Sequence, residues 1–226
     1  MDPTSWPGVF REGRELFTRN QVPGDRVYGE RLRVAADVEY REWDPFRSKL
    51  AALLRNGAPP DLWSEVGSVL YLGAAHGTTA SHLSDLWPAA QIFAVEKSPT
   101  SFAPLLALAR RRTNLIPLLS DAQLPERYRA DVGLVDLLYQ DVAQRNQAAI
   151  FVENARACLS PGGTGILMLK VRSVTQRRPG PVVVREARSE LQRGGYPVGS
   201  EVPLAPFSRE HVALVVRTGS PPSIVR

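Results

Sequence analysis

Between residues 9 and 43 apolar and charged residues alternate: GVFREGRELFTRN, a VPGD turn, then VYGERLRVAADVEYREW. Period-two alternation marks strands buried on one face. An antiparallel β lobe is therefore predicted over residues 1–45. At Asp44 the period changes. Pro45 opens a helical stretch, PFRSKLAALLRNG, which Gly57 stops. From Val66 apolar runs alternate with helical segments. VGSVLYL leads through the small-residue loop GAAHGTT into the helix ASHLSDL, and QIFAVE leads into SFAPLLALARRR. NLIPLLSD, DVGLVDLLYQD, TGILMLKV and HVALVVR read as further strands. The helix QAAIFVENARACL, closed by Pro161-Gly162-Gly163, and another near 182–193, ended by Gly194-Gly195, fill the gaps. Repeated β-loop-α units with right-handed crossovers imply a mostly parallel, doubly wound α/β sheet over residues 46–226. No internal repeat or low-complexity segment is visible, and the end, GSPPSIVR, reads as frayed.

Length changes this picture little: 226 residues suit one large domain with a small appendage. One cysteine, Cys158, excludes an internal disulfide and a thiolate cluster for zinc or iron–sulfur, so no metal is expected. No apolar run nears the roughly 18 residues of a membrane span. MDPTSWPGVFREGREL lacks the apolar core of a signal peptide. These features predict a soluble, intracellular protein of a reducing compartment without a membrane partner. Charge adds a hint: the net charge is +5 and the isoelectric point near 9.7, which mildly favours polyanions such as RNA. Within that charge stand 25 arginines and only three lysines, Lys49, Lys97 and Lys170. A bias that puts arginine wherever mere positive charge is wanted leaves those three as the positions to inspect for a role that needs an ammonium.

In a doubly wound sheet ligands sit at the carboxyl ends of the strands. The first strand there ends in Gly73-Ala74-Ala75-His76-Gly77-Thr78-Thr79. The loop lacks GxGxxG and the lysine of a P-loop, which weakens a dinucleotide or triphosphate reading; a tight turn needing glycines explains it as well. Glu96 ends the next strand, where a carboxylate accepts from ribose hydroxyls. Asp121 follows the third and Asp141-Val142-Ala143-Gln144 the fourth. Three acids would repel a pyrophosphate. They suit a ligand with a cationic centre, an adenosine and an amino acid: S-adenosylmethionine.

YLGAAHGTTASHLSD, EKSP, LLSDA, YQDVAQRNQAAI, PGGTGILMLKVRS and REHVALVV together resemble the fibrillarin family in its short archaeal form. VPGDRVYGE and EYREWDPFRSKLAA extend the likeness over about residues 8–217. The resemblance implies a seven-stranded, Rossmann-like class I methyltransferase sheet. It implies a 2′-O-ribose methyltransferase of rRNA and tRNA, the catalytic subunit of a box C/D ribonucleoprotein. The implied partners are a guide RNA, the target RNA, a Nop-domain scaffold and a kink-turn-binding protein of ribosomal type. The lack of a Gly/Arg-rich N-terminal extension points to an archaeal source. Position by position, cofactor contacts fall on Gly73, Thr78, Thr79, Glu96, Lys97, Asp121, Ala122, Asp141, Val142, Ala143 and Gln144. His76 replaces the family's usual serine, and Lys97 its usual apolar residue.

The resemblance also places a catalytic set on Lys49, Asp141, Lys170 and His211, using two of the three lysines. A ribose 2′-hydroxyl attacks poorly until its proton is taken and its oxygen aimed. Lys170 suits that task as a base whose pKa burial and a second cation would lower, with Lys49 tuning it and Asp141 holding it. His211 would relay a proton or hold the RNA backbone. Plain readings compete: a Lys170–Asp141 ion pair at a strand end, and a hydrogen-bonded histidine. Asp136, five residues before Asp141, should face away. His82, Cys158 and the four tryptophans read as structural, and Arg110-Arg111-Arg112 as complementing a helix dipole rather than touching RNA. A nicotinamide-dependent oxidoreductase and a catalytically silent RNA- or scaffold-binding subunit are the rival functions.

Overall fold

In the computed structural model, residues 1–63, 65–174 and 178–219 are described; most of the terminal stretch read as frayed, 220–226, lies outside them. The first sheet is antiparallel. Its strands are β1 (Asp2–Pro3), β2 (Val9–Glu12), β3 (Glu15–Arg19), β4 (Leu32–Ala35) and β5 (Val38–Glu42), in the order β1-β2-β3-β5-β4. Ala36 and Asp37 link β4 to β5 with both φ values positive, 48° and 61°, as a two-residue turn matched to strand twist requires.

Helix α1 (Lys49–Arg55) starts four residues later than Pro45 suggested. Asp44 Oδ1 instead accepts from the Phe46 amide at 2.8 Å, and Ser48, in extended conformation, caps the helix through the Ala51 amide. Two side chains thereby turn the chain before it coils, and Lys49 becomes the first helical residue.

The second sheet holds β6 (Ser68–Leu72), β7 (Gln91–Glu96), β8 (Leu115–Leu119), β9 (Val135–Gln140), β10 (Leu159–Lys170), β11 (Val198–Pro203) and β12 (His211–Arg217). Their order is β11-β12-β10-β9-β6-β7-β8; β12 runs against both neighbours, while the pairs among β6 to β10 are parallel. This is the seven-stranded, mostly parallel sheet that the family resemblance implied. The hydrophobic pattern had shown six of its strands. The seventh, β11, reads VGSEVP, an edge strand half in water with no apolar face to betray it.

Helices α2 (Thr78–Leu86) and α3 (Pro99–Ala109) join α1 and the lobe on one face of this sheet. On the other lie the short α4 (Arg129–Val132), α5 (Gln147–Cys158) and α7 (Gly180–Arg193), with the single turn α6 (Val171–Val174) preceding α7. Strand residues alternate between the two layers: Val69, Tyr71, Leu137 and Tyr139 join the first core, Leu70, Leu72, Leu138 and Leu167 the second. The first core also takes in Val9, Leu16 and Trp43, so lobe and main sheet share one apolar interior.

A buried ionic network reinforces that seam. Arg41 of β5 meets Glu30 at 2.7 Å and Asp85 of α2 at 2.8 Å. Asp85 also accepts from Arg112, and all four side chains are fully buried. Arg112 therefore departs from the expected exposed helix end: α3 stops at Ala109, and the chain folds Arg112 inward to share Asp85. Arg110 and Arg111 remain exposed. His82 is structural as expected, stacked on Trp43 with centroids 5.0 Å apart and bonded to Thr18 and Tyr28. Burial, then the Arg41 and Arg112 charges, push its pKa well down, so its ring is neutral. No helix among the described residues is long and apolar enough to cross a membrane.

Candidate active site

Chain order reverses between β6 and β9, the switch point at which such sheets open a crevice. Leu72 pairs in register with Gln140 of β9 and with Val95 of β7. Gly73, Glu96 and Asp141 therefore leave the sheet along one edge. Because β12 runs antiparallel, its amino end reaches the same edge, and His211 pairs with Lys170.

A cleft of about 260 Å³ opens there, lined by Gly73, Ala75, Val95, Glu96, Lys97, Ser120, Ala122, Asp141, Val142, Ala143 and Gln144. Eight of the eleven cofactor residues inferred from sequence are in that lining. Gly73 has φ +82°, and a Cβ there would stand 2.5 Å from the Asp141 carbonyl oxygen, so only glycine lets the two loops close together. Glu96 is 9% exposed; its two oxygens accept from the Ala75 amide at 2.9 Å and the Ser98 amide at 2.8 Å. The carboxylate thus holds both loops while keeping lone pairs free for a ligand.

Asp121 stands between two lining residues and accepts from the Gln123 amide at 3.0 Å. Burial acts to raise its pKa, but the Gln123 amide and the Lys97 charge prevail and lower it. Lys97 lies 3.8 Å from Asp121 and is 54% exposed, so it lines the cleft while its head stays in water. Thr78 and Thr79 do not line the cleft. Thr79 is buried, and its hydroxyl meets Ser48 Oγ at 3.0 Å, tying the cap of α1 to α2.

The sequence reading missed Ser120, whose hydroxyl oxygen is buried at the cleft wall without a hydrogen-bond partner among the described residues. A signal existed: Ser120 directly precedes Asp121 at a strand end. Ala75 and Ser98 were missed because they act through backbone N–H groups, which carry no residue signature. Asp136 faces away as expected, accepting from the Gly67 and Ser68 amides at the opposite end of the strand.

The four side chains of the inferred catalytic set gather beside the cleft. Lys49 Nζ is 2.6 Å from Asp141 Oδ2. Burial drives the Asp141 pKa up, and the charges of Lys49 and Lys170 only partly offset it. Lys170 makes no ion pair with a carboxylate among the described residues, so the Lys170–Asp141 pair is replaced by Lys49–Asp141. Gln147 locks the Lys170 backbone instead: its Oε1 accepts from the Lys170 amide at 2.8 Å, and its Nε2 donates to the Lys170 carbonyl at 3.1 Å. His211 shares a hydrogen bond between Nδ1 and Ser208 Oγ at 2.8 Å. Burial, then the Lys49 and Lys170 cations, push its pKa down to about 3.

The Fibrillarin family model matches residues 3–220. A fibrillarin-like rRNA/tRNA 2′-O-methyltransferase of Aeropyrum pernix is 44% identical over 215 residues, 92% of each chain. The crystal structure of Aeropyrum pernix fibrillarin in complex with natively bound S-adenosyl-L-methionine superposes with a TM-score of 0.84 at 41% identity, covering 92% of this chain and 97% of that one. A fibrillarin/Nop5p complex superposes at 0.85 with 37% identity, over 96% and 99%. With a family model spanning nearly its whole length and relatives above 40% identity, the chain belongs to the fibrillarin family.

Proposed function

We propose that this protein is an S-adenosylmethionine-dependent RNA 2′-O-ribose methyltransferase. We read it as the catalytic subunit of an archaeal, cytoplasmic box C/D particle, in which guide RNA pairing selects the rRNA or tRNA target. The lobe of residues 1–45 would brace the methyltransferase domain of residues 46–226. A Nop-domain scaffold and a kink-turn-binding protein would supply most of the RNA grip. The observation that carries this reading is the placement of Lys49, Asp141, Lys170 and His211 beside a cleft whose walls fit the cofactor.

That fit rests on three features. Glu96 offers acceptors for ribose hydroxyls, and the buried Ser120 hydroxyl, without a partner among the described residues, would meet a polar edge of the cofactor. Gly73 leaves the space a Cβ would fill. When bound, S-adenosylmethionine supplies a methyl group already activated by its sulfonium. The protein's task is then to aim the 2′-oxygen and take its proton. Lys170 performs it, on a backbone that Gln147 holds rigid. Asp141, clamped by Lys49, keeps a carboxylate beside the cationic centre. With its pKa near 3, His211 stays neutral and serves as a hydrogen-bonding partner for RNA rather than a proton store.

Transfer of tritiated methyl groups into guided RNA by the assembled particle tests this reading. Site-specific 2′-O-methylation is expected. An intact particle that binds S-adenosylmethionine yet leaves the RNA unmethylated would support the silent-subunit alternative.

A further inference from the structure

Beyond the cofactor cleft, a second and larger groove, about 1140 Å³, begins at the same edge of the sheet. Val171 and Arg172 of its wall follow Lys170, and Arg209, Glu210 and Val212 bracket His211. From there it runs between α7 and β11. Five arginines line it, Arg172, Arg178, Arg185, Arg188 and Arg209, against two glutamates, Glu201 and Glu210. We propose that this groove is the track for the phosphate backbone of the RNA strand being methylated, with its arginines as positioning residues. The inference rests on the methyltransferase reading and adds where the substrate strand lies.

Helix α7 is built for such a surface. It buries Val183, Val184, Ala187 and Leu191 against the core and exposes Arg185 and Arg188, one turn apart, to the groove. Three arginines rest on carboxylates: Arg172 on Glu210 at 3.0 Å, Arg178 on Glu186 at 2.6 Å and Arg188 on Glu201 at 2.9 Å. All three pairs are solvent-exposed, and such pairs contribute little, so exchange for a phosphate costs little. Arg185 and Arg209 pair with no carboxylate among the described residues.

Chemistry selects the occupant. A small anion needs one pocket with converging donors, whereas these guanidiniums are spread along an open channel. A ribose 2′-hydroxyl sits beside its own 3′-phosphate, so a strand delivering it between Lys170 and His211 brings phosphates to this end of the groove. Guanidinium forks suit phosphate oxygens, and contacts to phosphate carry no sequence information, as an enzyme guided by another RNA requires.

The test is the double variant Arg185→Gln/Arg209→Gln in the full chain, with Arg33→Gln in the N-terminal lobe as control. Binding of a single-stranded RNA oligonucleotide is measured across salt, and methylation kinetics in the assembled particle. The double variant should flatten the slope of log affinity against log salt by about 1.4, roughly 0.7 for each lost contact. It should raise the KM for RNA about 10-fold while S-adenosylmethionine affinity holds. Arg33→Gln should change none of these. An unchanged slope and KM would overturn the proposal. So would an effect confined to capture of the Nop-domain scaffold, which would make the groove a protein-docking surface. If the wild-type particle methylates no RNA, the methyltransferase reading fails, and the salt slope still judges the groove separately.

Discussion

Gly73→Ala separates the cost of a strained fold from the cost of a closed site. Gly73 holds φ +82°, a region where a side chain costs about 1–2 kcal/mol. Its new Cβ would also lie 2.5 Å from the Asp141 carbonyl oxygen and 3.1 Å from a Val142 methyl. The nearest neighbour is backbone, so it cannot rotate away. The loop after β9 must retreat, straining the hydrogen bond that the Asp141 amide N–H donates to the Leu72 carbonyl, now 2.9 Å. Together these terms predict a loss of about 2–4 kcal/mol, or roughly 5–15 °C in Tm for a chain of this size. S-adenosylmethionine affinity, measured by calorimetry on the folded variant, should fall at least about 10-fold, because retreat of Asp141 and Val142 deforms the cleft wall. Gly195→Ala is the control: φ is +94° but nothing lies within 4 Å of the new Cβ, so about 1 kcal/mol is lost and affinity is kept. Normal cofactor affinity in folded Gly73→Ala would refute the assignment of this cleft.

Lys170→Arg should retain cofactor affinity but lose about 10²–10⁴-fold in single-turnover rate, since guanidinium stays protonated; near-normal turnover would leave positioning to carry catalysis. His211 has a folded pKa near 3 against 6.5 unfolded, so its contribution is complete above pH 6.5 and drains as pH falls toward 3. Removing it by His211→Gln should flatten the fall in urea-measured stability by about 3 kcal/mol between pH 7 and 4, and parallel curves would contradict the depressed pKa. Asp85→Ala strips Arg41 and Arg112 of their shared carboxylate and should cost about 3–5 kcal/mol in chemical denaturation, without changing cofactor affinity of the folded fraction.

Much of this protein was legible along the chain. Buried parallel strands need continuous apolar runs, and a ligand edge at strand ends needs small or polar residues, so Gly73, Glu96, Asp121 and Asp141 stood out by position. Scarcity of lysine marked Lys49 and Lys170 before any packing was known. Strand β11 escaped because an edge strand in water carries no apolar periodicity. Arg112 looked like a solvated helix end, since a buried arginine is recognisable only by its partner; that partner, Asp85, lies 27 residues away.

Pairing across long sequence separations was settled by tertiary structure alone. Lys49 and Asp141 are 92 residues apart, and which lysine holds that carboxylate depends on where α1 begins. The capping turn of Asp44 and Ser48 set that start, a local event with a distant result. The pKa values of His211 and Asp141 likewise depend on burial and on cations from other elements. A sequence names the groups that can ionise. The interior that three-dimensional packing creates decides which of them stay charged.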